Sequence, residues 1–204
     1  MIIRLLLAMG ISYLLGSIPF GLLVAKYVKG VDIRDYGSGN IGATNAYRIM
    51  GLGMGFVVAL LDIGKGLLGI TVASSFFPEE PFLILLVGVM AIVGHNWSLF
   101  LKFTGGRGVA TSVGVLTSLA PGAIFVVFIV WALIVAITKY VSLGSIIGAV
   151  LIPIMMFLFN KPTEYVLFGL LIAIFVIYGH KPNIKRLLAG TENKITKTQV
   201  EKKD

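Results

Sequence analysis

The chain has no cysteine, so a disulfide framework and a thiolate metal site are both excluded. Charge is scarce: 13% of the residues are charged and only nine of 204 are acidic. Two histidines and a few scattered acids form no recognisable ligand cluster, so neither a metal nor a cofactor is expected. No internal repeat is evident, and with it goes the inverted-repeat signature of many transporters. No Ser-His-acid set is apparent, so a serine nucleophile is hard to assemble.

Apolar sequence fills the space left. Hydrophobic residues make up 57% of the chain and mean hydropathy is +0.98, which places it in the membrane class. The apolar run from Ile2 has no A-x-A-like site and continues through Pro19 to Val28, so it does not read as a cleaved signal. The net charge of +8 does not point to nucleic acid. The cations sit at the ends of apolar runs and in the tail, where they set topology and meet anions or membrane lipid.

Runs long enough to cross a bilayer cover roughly 3–28, 50–76, 82–101, 122–138, 142–159 and 163–179. The stretch 106–138 is one long span, or two with a turn at Leu119-Ala120-Pro121-Gly122, which the Pro-Gly pair favours. Positive charge arbitrates. Seven spans with the N-terminus outside put fourteen cations on one face and only Arg4 and Lys161 on the other; six spans give seven against nine, which is no bias. The expected fold is therefore an all-α integral membrane protein with seven transmembrane helices. Its N-terminus is outside and its C-terminus cytoplasmic. Residues 1–194 form a single domain and 195–204 a polar cytoplasmic tail.

That topology brings three polar, glycine-bearing segments to the cytoplasmic face. The first is Gly37-Ser38-Gly39-Asn40-Ile41-Gly42-Ala43-Thr44-Asn45, with Arg48 beyond it. Glycines let successive backbone N–H groups converge, and such nests bind phosphate. The G-x-G-x-x-G spacing lacks the soluble βαβ unit of a dinucleotide fold, and Ala43-Thr44 stands where a Walker A loop needs Lys-Ser/Thr. What remains is a nest feeding a helix N-terminus, the start of span two near Thr44 or Asn45. The second segment holds Gly94-His95-Asn96-Trp97-Ser98, then Lys102, Gly105, Gly106, Arg107, Gly108 and Thr111. It is a second cradle with a guanidinium that can grip phosphate bidentately. Trp97 reads as an interface anchor. The third runs from His180 through Asn183, Lys185 and Arg186 to Gly190-Thr191-Glu192-Asn193-Lys194. Within span two, Asp62 and Lys65 lie at i, i+3 and can neutralise each other.

Together the segments Gly16–Gly21, Gly37–Asn45, Gly94–Trp97, Gly105–Thr111, His180 with Asn183–Leu188, and Gly190–Lys194 closely resemble the bacterial acyl-phosphate:glycerol-3-phosphate acyltransferases, the PlsY family. The resemblance covers essentially the whole chain. It departs at Arg107, where the family often has Lys, and at Trp97-Ser98, where it often has Phe-Pro. It implies a seven-span enzyme of the bacterial inner membrane with a cytoplasmic site. The enzyme would move a fatty acyl group from acyl phosphate to the 1-hydroxyl of glycerol 3-phosphate, giving lysophosphatidic acid and phosphate. The enzyme that supplies acyl phosphate is then a natural partner.

By motif, Gly37, Ser38, Gly39, Asn40, Gly42, Thr44 and Asn45 would hold one phosphate, that of the acyl donor. Arg48, Lys102, Gly105, Gly106, Arg107, Thr111, His180 and Asn183 would hold glycerol 3-phosphate or the departing phosphate. Ser38, His95 and His180 are the candidate catalytic residues. The base is His180, His95 or a substrate phosphate itself. The His-x4-Asp motif of soluble-domain glycerolipid acyltransferases is absent, since Phe100 and Lys185 stand five residues after the histidines. Direct attack without an acyl-enzyme is expected, with the apolar spans leaving a groove for the acyl chain. The alternative readings are a small transporter of a phosphorylated anion and a lipid-phosphate phosphatase.

Overall fold

The structure, a computed structural model, describes residues 1–195. The rest of the expected tail, with Lys197, Lys202 and Lys203, lies outside the described residues. Ten α-helices and no strand occupy those residues. The first apolar run is two helices, not one. α1 (Ile2–Ser17) stops ahead of Pro19, because the residue before a proline is driven out of helical backbone, and α2 (Phe20–Lys29) restarts beyond it.

The glycine loop opens a separate helix rather than span two. α3 (Ala43–Met50) is short and amphipathic, and Gly51, at φ 89°, breaks it from α4 (Leu52–Phe76). The helix expected to run to 101 ends earlier. α5 (Pro81–Asn96) gives way to a knuckle closed by Ser98 N donating to Thr104 O at 3.1 Å. The turn expected at 119–122 is present: α6 (Val109–Leu119) and α7 (Pro121–Thr138) part at Ala120, with Pro121 in the first turn, where its missing N–H costs nothing. Then follow α8 (Val141–Leu158), α9 (Thr163–Gly179) and α10 (Lys181–Leu188), the last two bent by 61°.

By length and composition four stretches can cross a membrane: Ile2–Lys29, α4, α7 and α8; α9 joins them if it is taken with α10. α5 and α6 are apolar but shorter.

α4 is the hub, packed on α1, α3, α5 and α6, whereas α7, α8 and α9 form an adjoining layer. Lipid offers no hydrophobic drive for helices to associate, so close backbone approach has to supply the attraction. Gly66 lies directly under the Thr111 carbonyl and Gly114 under that of Ile63, which locks α6 on α4. The polar connections gather at one end of the bundle. There Ser98 Oγ donates to Ser17 O (2.6 Å), Arg48 reaches Asn193 O (3.1 Å) and Ile195 N donates to Lys139 O (2.7 Å). At the other end Arg4 caps α4 by donating to Phe76 O (2.7 Å).

Because a side chain at Gly114 would overlap backbone of α4, Gly114→Val should lower stability by about 2 kcal/mol. That corresponds to roughly 5 °C in thermal unfolding of the detergent-solubilised protein. Gly53→Ala, at an open position of α4, should not. Equal midpoints for the two variants would refute the close-packed crossing.

Candidate functional site

Asn45, fully buried in the first turn of α3, organises the glycine loop. Its Nδ2 is shared among the carbonyls of Ile33 (3.1 Å), Tyr36 (3.1 Å) and Asn40 (2.9 Å), and its Oδ1 accepts from Ser38 N (2.9 Å). Asn40 Oδ1 in turn accepts from Gly42 N at 2.8 Å. Gly37 has φ 58°, and a Cβ there would collide with Asn45 Oδ1, so only glycine fits. The Asn45 amide expected to hold phosphate is therefore spent on the loop. What the loop offers a ligand is the Ser38 and Thr44 hydroxyls and the amides of Ala43 and Thr44, whereas those of Asn45 and Ala46 donate to Gly42 O.

The second segment works differently from an anion nest. His95, buried at the end of α5, faces Asp62 through Nδ1 at 3.6 Å, and Asp62 pairs with Lys65 at 2.8 Å. Lys65 also donates to Ile18 O at 2.9 Å. Thus the Asp62–Lys65 pair expected to neutralise itself includes a histidine. Gly106 packs against the His95 ring so closely that a Cβ would overlap Nε2, and Gly106 N donates to His95 O (2.9 Å). Gly105 abuts the same carbonyl. These glycines hold the backbone that presents Arg107.

The third segment wraps back over the mouth. Glu192 accepts from Ser142 Oγ (2.7 Å), Asn183 Nδ2 (2.6 Å) and Arg186 Nε (2.8 Å). These three hydrogen bonds and the Arg186 charge hold its carboxyl below the ordinary carboxylate range, against burial, which is the largest single influence and acts to raise it. At the end of α9, His180 Nδ1–H donates to Val176 O at 2.7 Å, which leaves Nε2 with a free lone pair. Burial, assisted by Arg107, pulls the His180 pKa down to about 4 against the Val176 hydrogen bond and Glu192. Arg107 itself is pulled down to about 10, first by burial and then by Arg186 and Arg48, with Glu192 opposing. Arg48 is lowered by burial and Arg186, and its Nε is buried without a partner.

These parts surround one cavity of about 380 Å³. Of the residues read from the sequence, Ser38, Asn40, Gly42, Thr44, Asn45, Arg48, His95, Arg107, His180 and Asn183 line it together. Gly37, Gly39, Lys102, Gly105, Gly106 and Thr111 are not among its lining residues. Lys102 points into solvent beside the knuckle, and Thr111 is buried in the α4–α6 contact. Sequence reasoning missed Ser142 and gave Arg186 and Glu192 no role at the site. The available signal was Glu192 itself, one acid standing in a basic segment. Below the polar mouth the cavity continues between α4 and α7–α8 over apolar side chains. Three arginines facing one satisfied carboxylate make the mouth a receptor for anions.

The family model described as Glycerol-3-phosphate acyltransferase matches residues 6–190. The chain is 50% identical over 190 residues to glycerol-3-phosphate acyltransferase 2 of Moorella thermoacetica, covering 93% of this chain and 97% of that protein. It is 45% identical over 190 residues to the glycerol-3-phosphate acyltransferase of Carboxydothermus hydrogenoformans, at 93% and 96% coverage. Two crystal structures of PlsY (YgiH), described as an integral membrane glycerol 3-phosphate acyltransferase, superpose on it. The glycerol 3-phosphate form has TM-score 0.88 at 37% identity over 93% of this chain and 94% of that one. The lysophosphatidic acid form has TM-score 0.87 at 36% identity over 95% and 96%.

A folded-state pKa below that of free imidazole means that neutral His180 contributes stability fully above about pH 6.5, and that this contribution is lost as the pH falls towards 4. In ¹⁵N-histidine spectra, His180 should keep its proton on Nδ1 from roughly pH 5.5 to 8. A midpoint near that of free imidazole would show that the ring is not held as described.

Proposed function

The chain belongs to the glycerol-3-phosphate acyltransferase family and is an acyltransferase, and from that premise we propose that it transfers a fatty acyl group from acyl phosphate to the 1-hydroxyl of glycerol 3-phosphate. The hydroxyl oxygen bonds to the acyl carbon, the carbonyl C–O bond to phosphate breaks, and the hydroxyl proton passes to a base. Lysophosphatidic acid and inorganic phosphate leave. One observation carries this reading. A single cavity has two anion-receptive walls at its mouth, the start of α3 with Ser38 and Thr44 on one side and Arg48 and Arg107 on the other, and it runs on into an apolar groove.

Acyl phosphate is a mixed anhydride, already activated, so position matters more than covalent help. Holding two phosphates in register turns a bimolecular attack into a local one. Arg107 and the α3 amides oppose the charge that grows on the carbonyl oxygen and the departing phosphate. His180 is the better-placed base of the two histidines, because its Nε2 lone pair is free while the His95 ring is wedged between Asp62 and Gly106. In this mechanism Ser38 binds and is not acylated. The linked topology proposal is seven crossings with the site at the cytoplasmic face of a bacterial inner membrane. Its support is the cation bias together with the gathering of the three glycine-bearing polar segments at one end of the bundle.

Purified protein given acyl phosphate and labelled glycerol 3-phosphate should form ester without a chaseable acyl-Ser38 adduct. Phosphate release without glycerol uptake would mean a phosphatase, and counterflow in liposomes with neither reaction a transporter. Arg107→Ala should lower kcat/KM about 100-fold or more, with much of the loss restored in Arg107→Lys. Unchanged kcat/KM for both substrates would remove Arg107 from the site. A reporter fused after the last residue should be active in the cytoplasm, and activity only outside would overturn the orientation.

A further inference from the structure

Faces of α4, α7 and α8, with Val109 and Val113 of α6 beside them, line the cavity below its polar mouth. α4 contributes Phe56, Ala59 and Ile63; α7 contributes Ile124, Val127, Phe128 and Trp131; α8 contributes Ser142, Ser145, Gly148, Ala149 and Ile152. α7 and α8 run antiparallel. Gly144 packs against Trp131 and Val135, and Gly148 against Val127. The next rung down joins Ile124 and Ile152, where the lining ends. The α8 face is made of small side chains from Ser142 to Ala149 and then closes with a branched one. From Ser142 to Ile152 the groove descends ten residues of helix, about 15 Å. That is half the roughly 30 Å hydrocarbon core of a bilayer, or the reach of one leaflet's acyl chains.

We propose that this rung-by-rung groove measures the acyl donor, with Gly148 admitting the distal half of a long chain and Ile152 setting its end. The inference rests on the acyltransferase reading above and names the residues that decide its chain-length preference. Gly148 lies about 9 Å below Ser142. A Cβ there would meet only Val127 Cγ1, at an ordinary 3.4 Å. A larger side chain at 148 therefore enters the groove without first striking backbone. It would displace the last several methylenes of a long chain, each worth about fourfold in affinity.

The experiment compares kcat/KM for a series of saturated acyl phosphates from eight to eighteen carbons, read as the ratio of long to short donors. Gly148→Leu should lower that ratio about 50-fold or more. Ser145→Leu, one turn nearer the mouth, should move the optimum to still shorter donors. Ile152→Ala should move it to longer ones. Thermal unfolding of each variant is recorded alongside. If Gly148→Leu does not fold, the direction of the Ile152→Ala shift decides. A profile that keeps its shape in Ile152→Ala, or variants that lose all donors in equal proportion, would overturn the proposal. Wild-type protein that forms no ester with any donor would overturn the activity itself, and this inference with it; wild-type turnover with unmoved variant profiles sinks the inference alone.

Discussion

Asn45 spends both ends of its carboxamide on backbone, and the mouth of the cavity is built on that expenditure. A glycine-rich loop at a membrane face has many amides to satisfy and little secondary structure with which to satisfy them. By binding the carbonyls of Ile33, Tyr36 and Asn40 and the amide of Ser38, one side chain satisfies the interior of the loop. Ser38, Thr44 and the first turn of α3 are thereby left facing the cavity. A loop that satisfied all its own groups would bind nothing, and one that satisfied none would not hold its shape.

Glu192 does for the opposite wall what Asn45 does for the loop. Its carboxylate binds Ser142 of α8, Asn183 of α10 and Arg186 together, so the chain after α10 is strapped across the mouth. Arg48 completes the closure by reaching Asn193 from α3. The first and third polar segments, 145 residues apart in the chain, thus become neighbours. With Glu192 committed to three partners, little negative charge is left to offset Arg48 and Arg107. Burial first, and then the neighbouring Arg186, lowers both pKa values, and a bound phosphate would oppose that shift.

Much of this was legible in the sequence because polar residues are scarce in it. Glycine, asparagine and arginine clusters stand out from an apolar background, and the charge bias gathers them on one face. The Pro121-Gly122 break was readable from local backbone chemistry alone. Gly105 and Gly106 were not. Adjacent glycines announce that something comes close, but no spacing says whether it is a phosphate or, as here, a backbone carbonyl and an imidazole. Gly51 also escaped notice, since a glycine inside an apolar run looks like any helix residue until its positive φ separates α3 from α4. Glu192 depended on partners from two other helices, and long-range convergence of that kind leaves no local pattern.

Among the described residues His180 Nδ1 is held by a carbonyl and not by a carboxylate, and the electrostatics follow from that. A carboxylate hydrogen-bonded to His180 would orient it, but would also raise its pKa and favour the protonated ring. Here a carbonyl, that of Val176, takes the Nδ1 proton. It fixes the tautomer with a far smaller bias toward the cation than a carboxylate would exert. Burial and the nearby Arg107 then keep Nε2 unprotonated. Burial and Arg107 thus act on His180 in the same direction, so a mouth receptive to anions is compatible with an unprotonated Nε2. For the proposed anhydride donor, that arrangement needs no serine nucleophile. A site of this kind is best assembled at the edge of a bilayer, where the groove beneath it can take the chain that the chemistry is meant to deliver.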